Sequence, residues 1–302
     1  MRYGNNTARF FASHIIAILC YLEVIVMEED AGTIPFSGSQ GRNFAPDDPN
    51  RVVRSLWIGE LSPLERLCME SFVRCGHEFQ VFMYEPATDV PAGVVVRDAA
   101  EILPATRIMP NQLGQGKGSF AAFADLFRYQ MLYDLGGWWV DMDVFCLKRF
   151  TFDAPYVLGA EDKPVANGVI KVPRGCEMMA RICRDARQID LAKVLWNETG
   201  DVVGRAVADL GLMRYVLPSE TFSPIVWHEL PNYVRGKNRF VPDERSYAVH
   251  LYHEMWRRKK LDKWANHGPH SVVEILRRRA GMPARERQAA GLFRWLPWRR
   301  AG

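Results

Sequence analysis

Val52 to Ile58, VVRSLWI, has the β-branched and aromatic content of a strand, and Gly59 ends it. From Leu61 to Arg74 the apolar positions change period. Leu64, Leu67, Cys68 and Phe72 form a helical stripe, with Ser62 placed to cap it, Pro63 at the first position and Glu65 in the first turn. Phe79 to Tyr84 predicts a second strand and Val94 to Arg97 a short third. Strand, helix and strand in this order predict parallel pairing within an α/β sheet.

The next run, NQLGQGKGSFAAFADLFRYQMLYDLGG, opens on Gly114, Gly116 and Gly118, read as a flexible loop. No Lys-Ser/Thr follows at the offset a P-loop needs. Ser119 can cap a helix reaching Leu135, with Phe120, Phe123, Ala124, Phe127, Met131 and Leu135 on one face and Gly136 as terminator. Asp125, Arg128 and Tyr129 lie on another face. Asp125 and Arg128 are three apart and therefore neighbours, which on an open helix makes an ordinary surface ion pair.

Trp138 to Val144 then alternates as a strand does. Trp138, Val140, Met142 and Val144 share an apolar side, while Trp139, Asp141 and Asp143 share the other. Two carboxylates held together repel, and partial burial raises their pKa unless a counter-charge is present. A divalent cation with oxygen ligands, Mg2+ or Mn2+, relieves this, and Mg2+ commonly shares its remaining positions with substrate phosphates. The competing reading of D-x-D alone is a strand end running into solvent.

The stretch ADLFRYQMLYDLGGWWVDMDV resembles the signature of the DXD-containing sugar transferases of glycosyltransferase family 32. These are related to yeast Golgi mannosyltransferases, α1,4-galactosyltransferases and, distantly, bacterial glucosylating toxins. The signature covers about twenty residues, and weaker similarity runs from Val52 to Arg258. The resemblance implies an α/β GT-A fold, a Rossmann-like single main domain whose mixed, mostly parallel sheet is flanked by helices. It implies that Asp143 binds the metal directly, that Asp141 holds the donor and reaches the metal through water, and that Asp125 and Arg128 contact donor sugar and phosphates. Trp57 matches an aromatic that stacks on the nucleobase, against the alternative of a core tryptophan. Trp139 stands near the donor, Asn167 near the sugar, and Trp256 on the wall of a donor or acceptor pocket. The family's late histidine matches His250 in AVHLYHEMWRR. Extended or helical, that segment pairs His250 with Glu254 on one face, so both are candidate metal ligands, ahead of His253. The implied reaction moves a sugar with retention from a UDP- or GDP-sugar to a saccharide or lipid-linked acceptor, as in surface polysaccharide or glycan synthesis. The sequence offers no clear carboxylate nucleophile, so the departing diphosphate itself is expected to take the acceptor proton. A non-catalytic carbohydrate-binding or scaffold protein on the same fold is the alternative.

The 302 residues, 48% hydrophobic, suffice for one large α/β domain. Charge is unevenly spread. From Arg257 onward there are thirteen Lys/Arg and three Asp/Glu, leaving 26 and 32 before it. The basic end carries Leu292, Phe293, Trp295, Leu296 and Trp298, a composition suited to an anionic membrane surface, or else a solvated tail. No nucleic-acid partner is expected. Six cysteines without C-x-x-C or zinc spacing point to a reducing, cytoplasmic setting, and the basic tail adds a peripheral place on the inner face of a membrane. Phe10 to Met27 is apolar but interrupted by His14 and Glu23, short of the roughly 20 residues of a spanning helix. It reads as a weak anchor or as sequence upstream of a working start at Met27. The expected organisation is therefore a hydrophobic segment and linker over 1–50, a transferase domain over 51–260 and a tail over 261–302.

Overall fold

The parallel heart of the fold is set by three apolar strands. The computed structural model describes residues 44–86, 89–195 and 198–283. The Phe10 to Met27 segment, most of the linker and the tryptophans of the tail lie outside the described residues. β1 (Val52–Trp57) pairs in parallel with β2 (Glu78–Met83) on one side, Val53 against Phe79. On the other it pairs in parallel with β4 (Gly137–Val140), Val53 against Trp138. β3 (Val94–Asp98) extends the sheet at one edge. Beyond β4 come β7 (Val169–Val172) and β6 (Val157–Gly159), both antiparallel joins, and β8 (Val216–Leu217), parallel to β6. The order is β3-β2-β1-β4-β7-β6-β8. This mixed, mostly parallel sheet flanked by helices fits an α/β fold of GT-A type.

Helix α1 (Pro63–Arg74) links β1 to β2 and is closed by a capping box. The Ser62 N–H donates to Glu65 Oε2 at 2.8 Å, and Ser62 Oγ accepts at the helix start. Helix α2 (Ala121–Leu135) begins two residues later than Ser119, whose hydroxyl accepts from the Ala121 N–H at 3.2 Å. It ends at Gly136, where φ is 63° and a Cβ would sit 2.5 Å from the Arg174 backbone nitrogen. Only glycine meets both demands. Helices α3 (Glu177–Ala186) and α4 (Glu198–Asp209) pack with α2 over one sheet face, burying Phe127, Trp139 and Ile170. The opposite face buries Phe72, Trp138 and Phe150 beneath α1. Adjacent tryptophans thus serve opposite cores, as strand alternation requires.

One expected strand is broken. β4 stops at Val140, and Val144 opens β5 (Val144–Cys146) in a separate two-stranded sheet with β9 (Ala248–His250). Between them the chain turns, with the Val144 N–H bonded to Asp141 O at 3.0 Å. Gly168 O takes the Asp141 N–H and Leu251 N–H reaches Asp143 O, both at 2.8 Å. After β9 come α6 (His253–Arg258) and α7 (Val272–Arg279), with α5 (Leu230–Val234) before it. Val272, Leu276 and Met282 join Phe145, Val249 and Trp256 in a third buried cluster. Residues of α7 and Met282, within the stretch that sequence assigned to the tail, are thus part of this buried cluster. No helix among the described residues is long and apolar enough to cross a membrane.

Candidate functional site

The β5–β9 register sets Val144 opposite His250, which carries the histidine up to the turn holding Asp141 and Asp143. His250 Nε2 lies 3.3 Å from Asp143 Oδ1 and 3.9 Å from Asp141 Oδ2. One ligand atom from each of the three residues falls within 4.8 Å of the others. Two carboxylate oxygens and an imidazole nitrogen at this separation could hold a divalent ion. The two carboxylates converge through a turn, and the pleat of a strand plays no part.

Each of the three is fixed by a neighbour. Glu161 Oε1 sits 2.8 Å from His250 Nδ1, so the proton on Nδ1 points at Glu161 and Nε2 faces the carboxylates. Tyr252 stacks on the imidazole with ring centroids 4.1 Å apart. Asp143 Oδ2 accepts the backbone N–H of His253. Asp141 Oδ1 accepts from Arg128 Nη2 at 2.6 Å and from the Trp139 indole at 2.8 Å. Arg128 also donates to Asn167 O, stands 3.2 Å from Asp125 Oδ1 and lies over the Trp139 ring at 4.8 Å. Asp125 in turn accepts from the Asn167 amide at 2.9 Å and from Thr199 Oγ1 at 2.5 Å.

The electrostatics are uneven across the pair. Burial pushes Asp141 up to about 6; Arg128 opposes this and the charge of Asp143 adds to it. Burial works the same way on Asp143, but His250 and the His253 N–H outweigh it and hold that carboxyl well below its ordinary range. Burial alone would lower His250; Asp143 and Glu161 instead raise it well above the usual imidazole value. The cluster therefore draws positive charge to the point between the carboxylates.

Several sequence candidates stand differently from expectation. Asp125 and Arg128 are buried, with Arg128 only 4% exposed, so the surface-pair reading fails. Arg128 is turned onto protein oxygens, and its charge reaches the cluster through Asp141. Asn167 is pinned between Asp125 and Arg128. Trp139, 2% exposed, offers Asp141 its indole edge and packs the rest into the core. Trp256, 1% exposed, is a core residue bonded to Leu251 O, and it borders a cleft also lined by Leu64, Leu67 and Lys263. Glu254 does not join the cluster. Tyr252 adopts a left-handed conformation, φ 43°, and beyond it Glu254 pairs with Arg257 and Arg258. Those arginines bond Gln115 and Lys117, tying down the glycine loop that sequence read as flexible. Trp57 is half-buried at the end of β1, its ring 5.3 Å from His253 and 5.1 Å from Lys263 Nζ.

Sequence reasoning missed Glu161, Thr199 and Gly168. Glu161 is 89 positions from its partner, and no spacing signals it. Gly168 had a local cue, following Asn167 in ANGVI. A Cβ there would lie 3.1 Å from His250 Cε1 and 3.4 Å from Asp141 Oδ2, so glycine keeps the cluster open.

Residues 68–163, about a third of the chain, match the family described as glycosyltransferase sugar-binding region containing DXD motif. Asp141-Met142-Asp143 lies within the matched stretch. Among solved structures, one described as PaToxG glycosyltransferase is 12% identical, covers 80% of each chain and has a TM-score of 0.41. Another, a transferase mutant, is 13% identical, covers 58% of this chain and 92% of its own, with a TM-score of 0.36. No curated protein matches the chain.

Proposed function

We propose that this protein is a metal-dependent, retaining glycosyltransferase that moves a sugar from a UDP- or GDP-sugar to a saccharide or lipid-linked acceptor. The observation that carries the reading is the convergence of Asp141, Asp143 and His250 inside and beside a DXD glycosyltransferase region. Asp143 and His250 would hold the ion, Mn2+ or Mg2+, with Asp141 beside them to serve ion and donor. Bound there, the ion would supply Lewis-acid charge to the departing diphosphate. Arg128 acts one step back: it keeps Asp141 ionised and aimed, while Asp125 and Asn167 keep Arg128 in place. Trp57 offers its open face to the nucleobase. The acceptor hydroxyl forms its bond to the anomeric carbon as the bond from that carbon to the diphosphate breaks, and the diphosphate takes the proton.

The acceptor class, a surface polysaccharide or lipid-linked saccharide met at a membrane's cytoplasmic face, rests on the basic, tryptophan-bearing tail of the sequence. Calorimetric titration with UDP and with GDP, with and without Mn2+, tests the core of the reading. Metal-dependent binding of one nucleotide, lost in Asp143→Ala, supports it and selects the base. A folded protein that binds neither nucleotide makes the non-catalytic scaffold the better description.

A further inference from the structure

The segment from Ser223 to Trp227 is tied at three points to the support of the metal cluster. Ser223 Oγ donates at 3.1 Å to Glu161 Oε1, the oxygen that also faces His250. Tyr252 donates its hydroxyl to Ile225 O at 2.9 Å while its ring lies against His250. Trp227 Nε1 donates to Asp162 Oδ2 at 2.7 Å, one residue along the chain from Glu161. This segment is thus built into the same framework as the candidate ligands.

It also carries apolar surface that the fold leaves open. Trp227 is 36% exposed and Val226 44%, whereas Trp138, Trp139 and Trp256 are each at or below 2%. A single exposed apolar residue needs no explanation. Trp227 differs in being oriented: its polar edge is fastened to Asp162 and the His228 ring flanks it at 5.5 Å, while part of its apolar body faces water. A fixed ring of this kind suits a ligand with one apolar face and a wet perimeter. A pyranose is such a ligand, since its C–H face can lie on an indole while its hydroxyls meet neighbouring carboxylates. The other half-open tryptophan, Trp57, reaches the cluster by a different route, through His253 and Asp143. Two aromatic platforms therefore connect to the cluster by separate supports.

We propose that Trp227, with Val226 and Asp162, forms the subsite for the acceptor sugar, leaving Trp57 to the donor. The inference rests on the transferase reading above. The test uses the full chain with Mn2+ and whichever of UDP or GDP binds. Saturation-transfer NMR is run with p-nitrophenyl glycosides of glucose, galactose and mannose on wild type, Trp227→Ala and Trp227→Phe. Nucleotide titration of the same samples reports the donor site. At least one glycoside should bind the wild type, bind Trp227→Phe similarly and bind Trp227→Ala about tenfold more weakly. Glycoside binding equal in wild type and Trp227→Ala, or absent throughout while nucleotide still binds, overturns the acceptor subsite and leaves the donor reading standing. Loss of nucleotide binding in the wild type itself overturns both.

Discussion

Glu161 and His250 meet through Oε1 and Nδ1 at 2.8 Å, and this contact turns the other imidazole nitrogen toward Asp143 at 3.3 Å. A carboxylate behind a ligating histidine fixes its tautomer and ring orientation, and removing such a partner commonly costs about 10–100-fold in metal affinity. Glu161→Ala is therefore expected to weaken Mn2+ binding within that range. Glu161→Gln, which can still accept from Nδ1–H, should recover part of it. Mn2+ titration followed by electron paramagnetic resonance reads both. Equal affinity in all three proteins would remove Glu161 from the site.

Arg128 stands between Asp125 and Asp141 in a nearly closed environment. Removing one partner of a buried ion pair leaves uncompensated charge and typically costs about 3–5 kcal/mol. Arg128→Met should lower unfolding stability by an amount of that order, measured by urea denaturation. Arg128→Lys should fall between, because an ammonium cannot serve Asn167 O, Asp125 and Asp141 with the same planar fork.

Gly168 is expected to tolerate no side chain without loss of metal binding. The Cβ of Gly168→Ala would crowd His250 Cε1 and Asp141 Oδ2, and sites of this kind depend on sub-ångström placement. Reduced Mn2+ affinity with a little-changed thermal midpoint is the expected pair of results. Unchanged affinity would mean that the turn yields freely.

His77 gives the fold a pH dependence of its own. Its Nε2 accepts the Phe150 N–H at 3.0 Å, which places the Nδ1 proton on Asn50 O at 2.9 Å and leaves the ring neutral. Burial lowers its pKa to about 4 from 6.5, so the unfolded chain binds the proton more readily. Its contribution to stability should be level above about pH 6.5, fall by up to about 3 kcal/mol as pH drops toward 4, and level off below. The difference between the urea-unfolding profiles of wild type and His77→Gln across that range measures this contribution.

What the sequence made legible was mostly local. The Ser62–Glu65 capping box, the glycine stop at Gly136 and the apolar runs of β1 and β2 each announce themselves within a few residues. The strand expected through Val144 failed because its alternation is genuine while its hydrogen-bond partners, Gly168 O and Leu251 N–H, come from far along the chain. The Asp pair stands out by itself, but nothing nearby tells that Arg128 is buried, that Glu254 turns to Arg257, or that Trp256 packs into a core. Those outcomes depend on which surfaces meet, and periodicity does not encode it. Glu161 and Thr199 belong to the same class, ordinary residues made important by tertiary neighbours.

The three-residue pairing of β5 with β9 has a consequence for how the protein comes into being. It joins Val144 to a residue more than a hundred positions later, and contacts of such separation form late because loop closure must precede them. A nascent chain would expose both aspartates well before His250 left the ribosome. Fragments ending before Ala248 would keep all of residues 68–163 yet lack the histidine of the candidate cluster. Bringing the three side chains together would therefore report that synthesis has passed β9.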